Sequence, residues 1–308
     1  MPNLTVDIAG ICLSNPTILA SGILGETAES LLRVGRSGAG AVTTKSIGLE
    51  PRLGHDNPTV VELESGLLNA IGLANCGISE FEAELEVAAG GQVPVIASIF
   101  GKDEVEFAEI ARRVARHRIA AVELNLSCPH AAGYGAEVGS DPAMVGKITR
   151  AVKDAISLPV FVKLTPNTGD IVALGKAAVA AGCQALVAIN TVTAIAINPE
   201  IGRVVLSNVY GGYSGPGIKP IGLRCVLQLA SAGLGVPIVG VGGIASGRDV
   251  AEYLMAGASA VQIGTAARGD GPLVFRRVVG ELEAFMAANR FEALGEMIGL
   301  AAGRVRQG

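Results

Sequence analysis

Two glycine turns stand where a phosphate is commonly held. Gly240-Val-Gly-Gly243 and Ile263-Gly-Thr265 each close a short β-branched run. Backbone N–H groups of such turns can cradle an anion, and glycine leaves room for its close approach. Either turn alone reads equally well as a tight turn; the two together, on consecutive strands, point to a phosphate site. Polar residues gather at the ends of other runs: Lys45 and Ser46, Asn125 and Ser127, Asn190 and Thr191. Lys163 lies inside the apolar Phe161-Val-Lys-Leu164. An ammonium there is costly to bury unpaired, so it belongs to a site unless its stem snorkels to the surface. Facing a redox-active ring, its charge would stabilise an anionic reduced form. Asn69, Asn125 and Asn190 donate and accept without charge. Such a set suits a flat heterocycle with alternating N–H and C=O groups, although each asparagine alone is as readily a turn or cap residue.

The five cysteines are Cys12, Cys76, Cys128, Cys183 and Cys225. No CxxC pair is among them, so this chain supplies neither a zinc site nor an iron–sulfur site of its own, and no metal is expected. Cys12, Cys76, Cys183 and Cys225 read as small buried hydrophobes. Cys128 differs, because it follows a strand end in Asn125-Leu-Ser-Cys-Pro-His130 and precedes the glycine-bearing loop 131–139. A thiol at this place can act as a general base if it titrates near the working pH. Gly133 and Gly135 would let that loop open and close. His130 either tunes the thiol, contacts substrate or is a solvated loop residue.

These residues need a scaffold that brings distant strand ends together. Eight short runs recur, at 17–20, 41–44, 95–100, 121–127, 160–165, 185–191, 237–243 and 260–265. Between them, 104–116, 142–156, 171–181, 221–232 and 248–256 carry apolar residues at three- and four-residue spacing. Asp141 before Pro142 forms an N-cap with proline at the first helical position, and Gly182 and Gly257 stand where left-handed C-caps are expected. Eightfold strand–helix alternation predicts an α/β fold, a (β/α)8 TIM barrel occupying residues 1–308 as one domain. A doubly wound sheet is the competitor, but no GxGxxG follows the first run. Residues 4–13 read as an N-terminal hairpin plugging the barrel's lower end. Residues 203–217 read as a hairpin inserted after the sixth strand, and 48–75 as a long connection after the second. Insertions on the C-terminal face are usually functional.

Composition fits and excludes. Half of the 308 residues are hydrophobic, 17% are charged and 4% aromatic, with no Trp, so the core must be built from Val, Ile, Leu and Ala. The net charge of −4 and the lack of a basic run argue against nucleic acid. No apolar run reaches the roughly 18 residues of a membrane span. The start has no secretory pattern, so a cytoplasmic protein with reduced thiols is expected.

Thr43-Thr-Lys-Ser46, Asn69-Ala-Ile-Gly-Leu73, Glu123-Leu-Asn-Leu-Ser-Cys-Pro129, Val162-Lys-Leu-Thr-Pro166, Ile189-Asn-Thr191, Ser214-Gly-Pro-Gly-Ile-Lys-Pro220 and Gly240-Val-Gly-Gly243 resemble the motifs of dihydroorotate dehydrogenase, in order and along almost the whole chain. Cysteine at 128 resembles class 1, and the overall pattern looks most like subclass 1B. The resemblance implies FMN held at Ser21, Lys45, Ser46, Asn125, Lys163, Ile189, Gly215, Gly242, Gly243, Gly264 and Thr265. It implies substrate held at Lys45, Asn69, Ala70, Ile71, Gly72, Leu73, Asn125, Asn190 and Thr191, with Cys128 as catalytic base. Two positions depart from it: Ser98 stands where the family usually has an FMN-contacting asparagine, and His130 where many members have asparagine.

The implied reaction oxidises (S)-dihydroorotate to orotate in pyrimidine (UMP) biosynthesis, with Cys128 taking the C5 proton while hydride leaves C6 for the flavin. Subclass 1B implies an electron-transfer subunit carrying FAD and a 2Fe–2S cluster that passes electrons to NAD+, and a homodimer within a heterotetramer. The alternatives are a self-sufficient subclass 1A enzyme using fumarate, a dihydropyrimidine dehydrogenase-like reductase, a tRNA dihydrouridine synthase (disfavoured by the acidic balance) and a non-catalytic phosphate-binding barrel.

Overall fold

The computed structural model describes residues 2–126 and 138–305. The chain opens with an antiparallel hairpin, β1 (Val6–Ile8) and β2 (Ile11–Leu13), turned by Ala9 and Gly10, both at positive φ. Two consecutive left-handed residues are what a two-residue hairpin turn requires. Then follow β3 (Thr17–Leu19), α1 (Ala28–Arg36) and β4 (Ala41–Thr43). A first insertion carries β5 (Val60–Leu63) and β6 (Gly66–Asn69), and α2 (Ile78–Ala88) returns the chain to β7 (Val95–Ile99). After α3 (Glu104–Val114) come β8 (Ala121–Asn125), α4 (Pro142–Ala155), β9 (Val160–Leu164), α5 (Ile171–Ala180) and β10 (Ala185–Ala188). A second insertion holds β11 (Val192–Ala194), β12 (Ile197–Asn198), β13 (Arg203–Val204) and β14 (Gly211–Ser214). The chain ends through α6 (Lys219–Ser231), β15 (Ile238–Val241), α7 (Gly247–Ala256), β16 (Ala260–Ile263), α8 (Ala267–Asp270), α9 (Val274–Ala288) and α10 (Leu300–Val305).

Eight parallel strands close into a barrel in chain order, β3-β4-β7-β8-β9-β10-β15-β16, with β16 pairing back to β3. Helices cover the outside, which explains why β7, β8 and β9 are buried along both faces. Ile8 and Leu13 of the hairpin join Ile18, Ile96, Phe161 and Val239 in one apolar cluster inside the barrel, so the hairpin does close its lower end. The alternation of strand side chains then dictates what lies above. Ala121, Phe161 and Ala260 belong to that cluster, and two residues further along their strands come Glu123, Lys163 and Gln262. The barrel interior therefore changes from apolar to polar as it nears the C-terminal mouth.

Local chemistry stops the helices where it was expected to. Asp141 caps α4 through Ala143 N at 2.9 Å, with Pro142 at the first helical position. Gly257 ends α7 in the left-handed region, and Gly182 follows α5 at φ +96°.

Three expectations are corrected. The strands end earlier than the apolar runs: β10 stops at Ala188 and β4 at Thr43, because the residues beyond turn their polar groups to the mouth instead of continuing the ladder. The second insertion begins at Val192, not at 203, and is a nested pair of hairpins. The two insertions, read separately from the sequence, join in one four-stranded sheet ordered β11-β14-β6-β5. The join needs Gly66, where an added Cβ would lie 1.9 Å from the Ser214 carbonyl oxygen.

Candidate active site at the mouth of the barrel

A cavity of about 480 Å³ opens at the C-terminal ends of the strands, roofed on one side by the inserted sheet. Its size suits a cofactor with a small substrate. Ser21, Lys45, Ser46, Asn125, Lys163, Ile189, Gly215, Gly242, Gly243, Gly264 and Thr265 all border it. So do Asn69, Ile71, Gly72, Leu73, Asn190 and Thr191. The Ala70 side chain does not: it is fully buried beside Leu68 and Leu206 under the inserted sheet. Ser127, Cys128, His130, Gly133 and Gly135 lie outside the described residues.

At one end of the cavity three turns converge. Gly243, at φ +70°, sits so close to Gly215 O and the Lys219 backbone that an added Cβ would meet them at 2.8 and 3.0 Å. Thr265 Oγ1 donates to Ser214 Oγ at 2.9 Å and ties the third turn in. Among the described residues, none accepts a hydrogen bond from the N–H of Gly242, Gly243, Ile244 or Thr265. All four residues border the cavity, so these N–H groups are donors available to an anion there. The nearby Lys219 is engaged by Asp249 at 2.7 Å and Glu252 at 2.9 Å. Its hydrogen bond to Asp249 raises its pKa, while burial opposes the fall in Asp249's own pKa that the lysine imposes. The cradle is thus built from backbone donors. These features fit a phosphate monoester. Gly243→Ala is expected to cost about 1–3 kcal/mol through backbone strain and contact, and to weaken retention of a phosphate-bearing cofactor. Thermal melts and the cofactor content of the purified variant check it.

The opposite wall is polar and uncharged. Asn125 Nδ2 donates to Ser46 Oγ at 2.9 Å, and Asn190 Nδ2 donates to Asn125 Oδ1 at 3.2 Å. Ser46 Oγ also lies 3.1 Å from Ser21 Oγ and 2.9 Å from Ser98 Oγ. A hydroxyl donates once and accepts twice, so the Ser46 hydroxyl at the centre of this node is saturated. Ser98, fully buried, supports Ser46 from below and does not itself border the cavity. Asn69 enters from the inserted sheet, placed by its pairing with Gly212, whose carbonyl accepts its Nδ2 at 3.1 Å. Asn167 steadies the far side, donating to Thr191 O and accepting from Thr193 N.

Two lysines border this space. Lys45 pairs with Glu26 at the open edge, and Glu26 is largely exposed. Lys163, only 4% exposed, lies 3.0 Å from Gln262 Oε1 and 3.5 Å from Glu123 Oε1. Gln262 Nε2 in turn donates to the other oxygen of Glu123. Lys163 therefore does not snorkel outward: a fully buried carboxylate and a bridging amide compensate its charge. No role for Glu123 or Gln262 was read from the sequence. Their signal was the same as that of Lys163, a polar residue inside an apolar strand two places after an inward-facing small or aromatic residue.

Comparison with known proteins agrees with this arrangement. A family model described as dihydroorotate dehydrogenase matches residues 3–286. The chain belongs to the dihydroorotate dehydrogenase family. A relative from Pyrococcus furiosus, the catalytic subunit of dihydroorotate dehydrogenase B (NAD(+)), is 51% identical over 299 residues, covering 97% of this chain and 99% of the relative. The protein of the same description from Methanocaldococcus jannaschii is 48% identical over 302 residues, covering 97% and 98%. A crystal structure of the dihydroorotate dehydrogenase of Eimeria tenella in complex with ferulenol superimposes with a TM-score of 0.86 at 26% identity, covering 98% of this chain and 89% of that one.

Proposed function

We propose that this chain is the catalytic subunit of an NAD+-linked dihydroorotate dehydrogenase that binds FMN and oxidises (S)-dihydroorotate to orotate, a step of pyrimidine biosynthesis. One observation carries the reading: a backbone phosphate cradle, a buried lysine and an uncharged amide wall border the same cavity. When bound, FMN would supply the two-electron redox chemistry that the oxidation requires. The residues do the rest. The turns at Gly215, Gly243 and Thr265 hold the phosphate. Lys163 would supply a positive charge at the cavity that favours the reduced cofactor. Asn69, Asn125, Asn190 and Thr191 hold the substrate's N–H and C=O groups flat. Lys45 exchanges its exposed Glu26 partner for the substrate carboxylate. Cys128 takes the C5 proton.

Electrons must then leave the chain. Among the described residues no group of His, Cys, Asp or Glu is placed to hold a metal, and the sequence carries no CxxC pair. The relatives are named as catalytic subunits. A partner subunit with FAD and a 2Fe–2S cluster completes the proposal, in a heterotetramer built on a homodimer of this chain. The exposed Ile197, Ile201 and Tyr210 of the second insertion offer apolar surface for such assembly. A cytoplasmic setting fits the described cysteines, which are all free thiols.

The ligand specificity tests the reading. Orotate should perturb the visible spectrum of the FMN-loaded chain and bind at least about tenfold more tightly than uracil, a factor of about 1.4 kcal/mol that Lys45 supplies through the carboxylate. Equal binding of uracil would favour a dihydropyrimidine reductase. Turnover with fumarate by the isolated chain would overturn the partner assignment.

A further inference from the structure

Tyr253 is among the largest side chains that the fold buries completely, and it lies on α7 directly beneath the phosphate turn. Its hydroxyl donates to the Gly242 carbonyl at 2.7 Å and is 3.3 Å from the Val241 carbonyl. Burial holds its pKa far above the ordinary phenol range, so it stays a donor.

Three glycines clear the space for it. An added Cβ on Gly240 would lie 2.4 Å from the tyrosine ring. One on Gly222 would lie 2.0 Å from the hydroxyl, and one on Gly242 3.2 Å from it. Gly222 stands inside α6, where alanine would be the better helix former. A glycine there leaves room for that hydroxyl and for the Val241 carbonyl, which an added Cβ would meet at 2.9 Å.

In a planar trans peptide the C=O and N–H groups point in opposite directions. Fixing the Gly242 carbonyl toward α7 therefore turns the N–H of Gly243 away from α7, and Gly243 borders the cavity. We propose that Tyr253 is a positioning residue for the cofactor phosphate, anchoring the Gly242–Gly243 peptide so that its N–H faces the phosphate. This rests on the FMN reading above.

The test uses the full-length, flavin-stripped chain, titrated separately with FMN and with riboflavin, which lacks the phosphate. The wild type should prefer FMN. Tyr253→Phe keeps the ring in its notch and removes only the hydroxyl; it should weaken FMN binding roughly three- to tenfold, the size of one neutral hydrogen bond, while riboflavin binding changes by less than about twofold. Gly222→Ala, whose Cβ would displace the hydroxyl and also crowd the Val241 carbonyl, should show the same selective loss and serves if Tyr253→Phe does not fold. A merely structural role would weaken both ligands alike, and that result, or no change in either, would overturn the proposal. A wild type without preference for FMN would instead bring down the phosphate cradle itself, and the role of Tyr253 with it.

Discussion

Cys128→Ala should leave FMN bound and slow its reduction by dihydroorotate by about 10²-fold or more, the usual size of a lost general base. The structure narrows the choice of thiol. Burial pushes Cys183 up to about 12, and it raises Cys225 as well. Cys76 is raised too, chiefly by burial, and does not border the cavity. Cys12 lies on the hairpin at the opposite end of the barrel. Cys128 follows Asn125 by three residues, a stretch of chain that spans at most about 11 Å, and Asn125 faces the cavity. Stopped-flow reduction under nitrogen measures the effect. The rate should fall with the flavin spectrum and FMN content unchanged. An unaltered rate would remove Cys128 from the mechanism.

Lys163→Met should destabilise the protein by about 3–5 kcal/mol, because it strands a buried carboxylate. Glu123 is fully buried, and its charge is compensated only through Lys163 and Gln262 among the described side chains that bond to it. The double variant Lys163→Met with Glu123→Gln removes both charges together. It should recover most of that loss, since replacing a whole buried pair is often close to neutral. Denaturant midpoints of the two variants and the wild type make the comparison. The double variant should still lack the charge that favours reduced flavin, so its stability returns without its normal reduction rate. Equal destabilisation of single and double variants would mean that the lysine acts through packing alone.

The legible parts of this protein were those governed by local chemistry. Short, continuous β-branched runs separated by capped amphipathic helices specify a barrel, and Asp141, Pro142 and Gly257 marked helix ends through interactions within a few residues. The glycine turns were legible as well, as turns that border the cavity, since a tight turn requires a residue type as much as a place. The joining of the two insertions was not. The Asn69–Gly212 pairing links positions 143 apart, and β11 and β5 are too short and too mixed in exposure to advertise partners. Ala70 stands in a motif whose other members border the cavity, while its own side chain is buried with Leu68 and Leu206, a contact made across the two insertions. Glu123 and Gln262 escaped for a similar reason. A polar residue within a strand signals a buried partner, but which strand supplies that partner depends on barrel closure. Tyr253 gave no signal at all, because its meaning depends on two carbonyls in the preceding turn and on glycines from two other elements.

The most direct test is the visible spectrum of the purified chain, followed by anaerobic addition of dihydroorotate. A flavin band that bleaches on addition, with orotate formed in equal amount, is the predicted result and establishes cofactor, substrate and half-reaction together. A band that persists with dihydroorotate yet bleaches with dithionite would contradict the account, leaving a flavin barrel with another substrate.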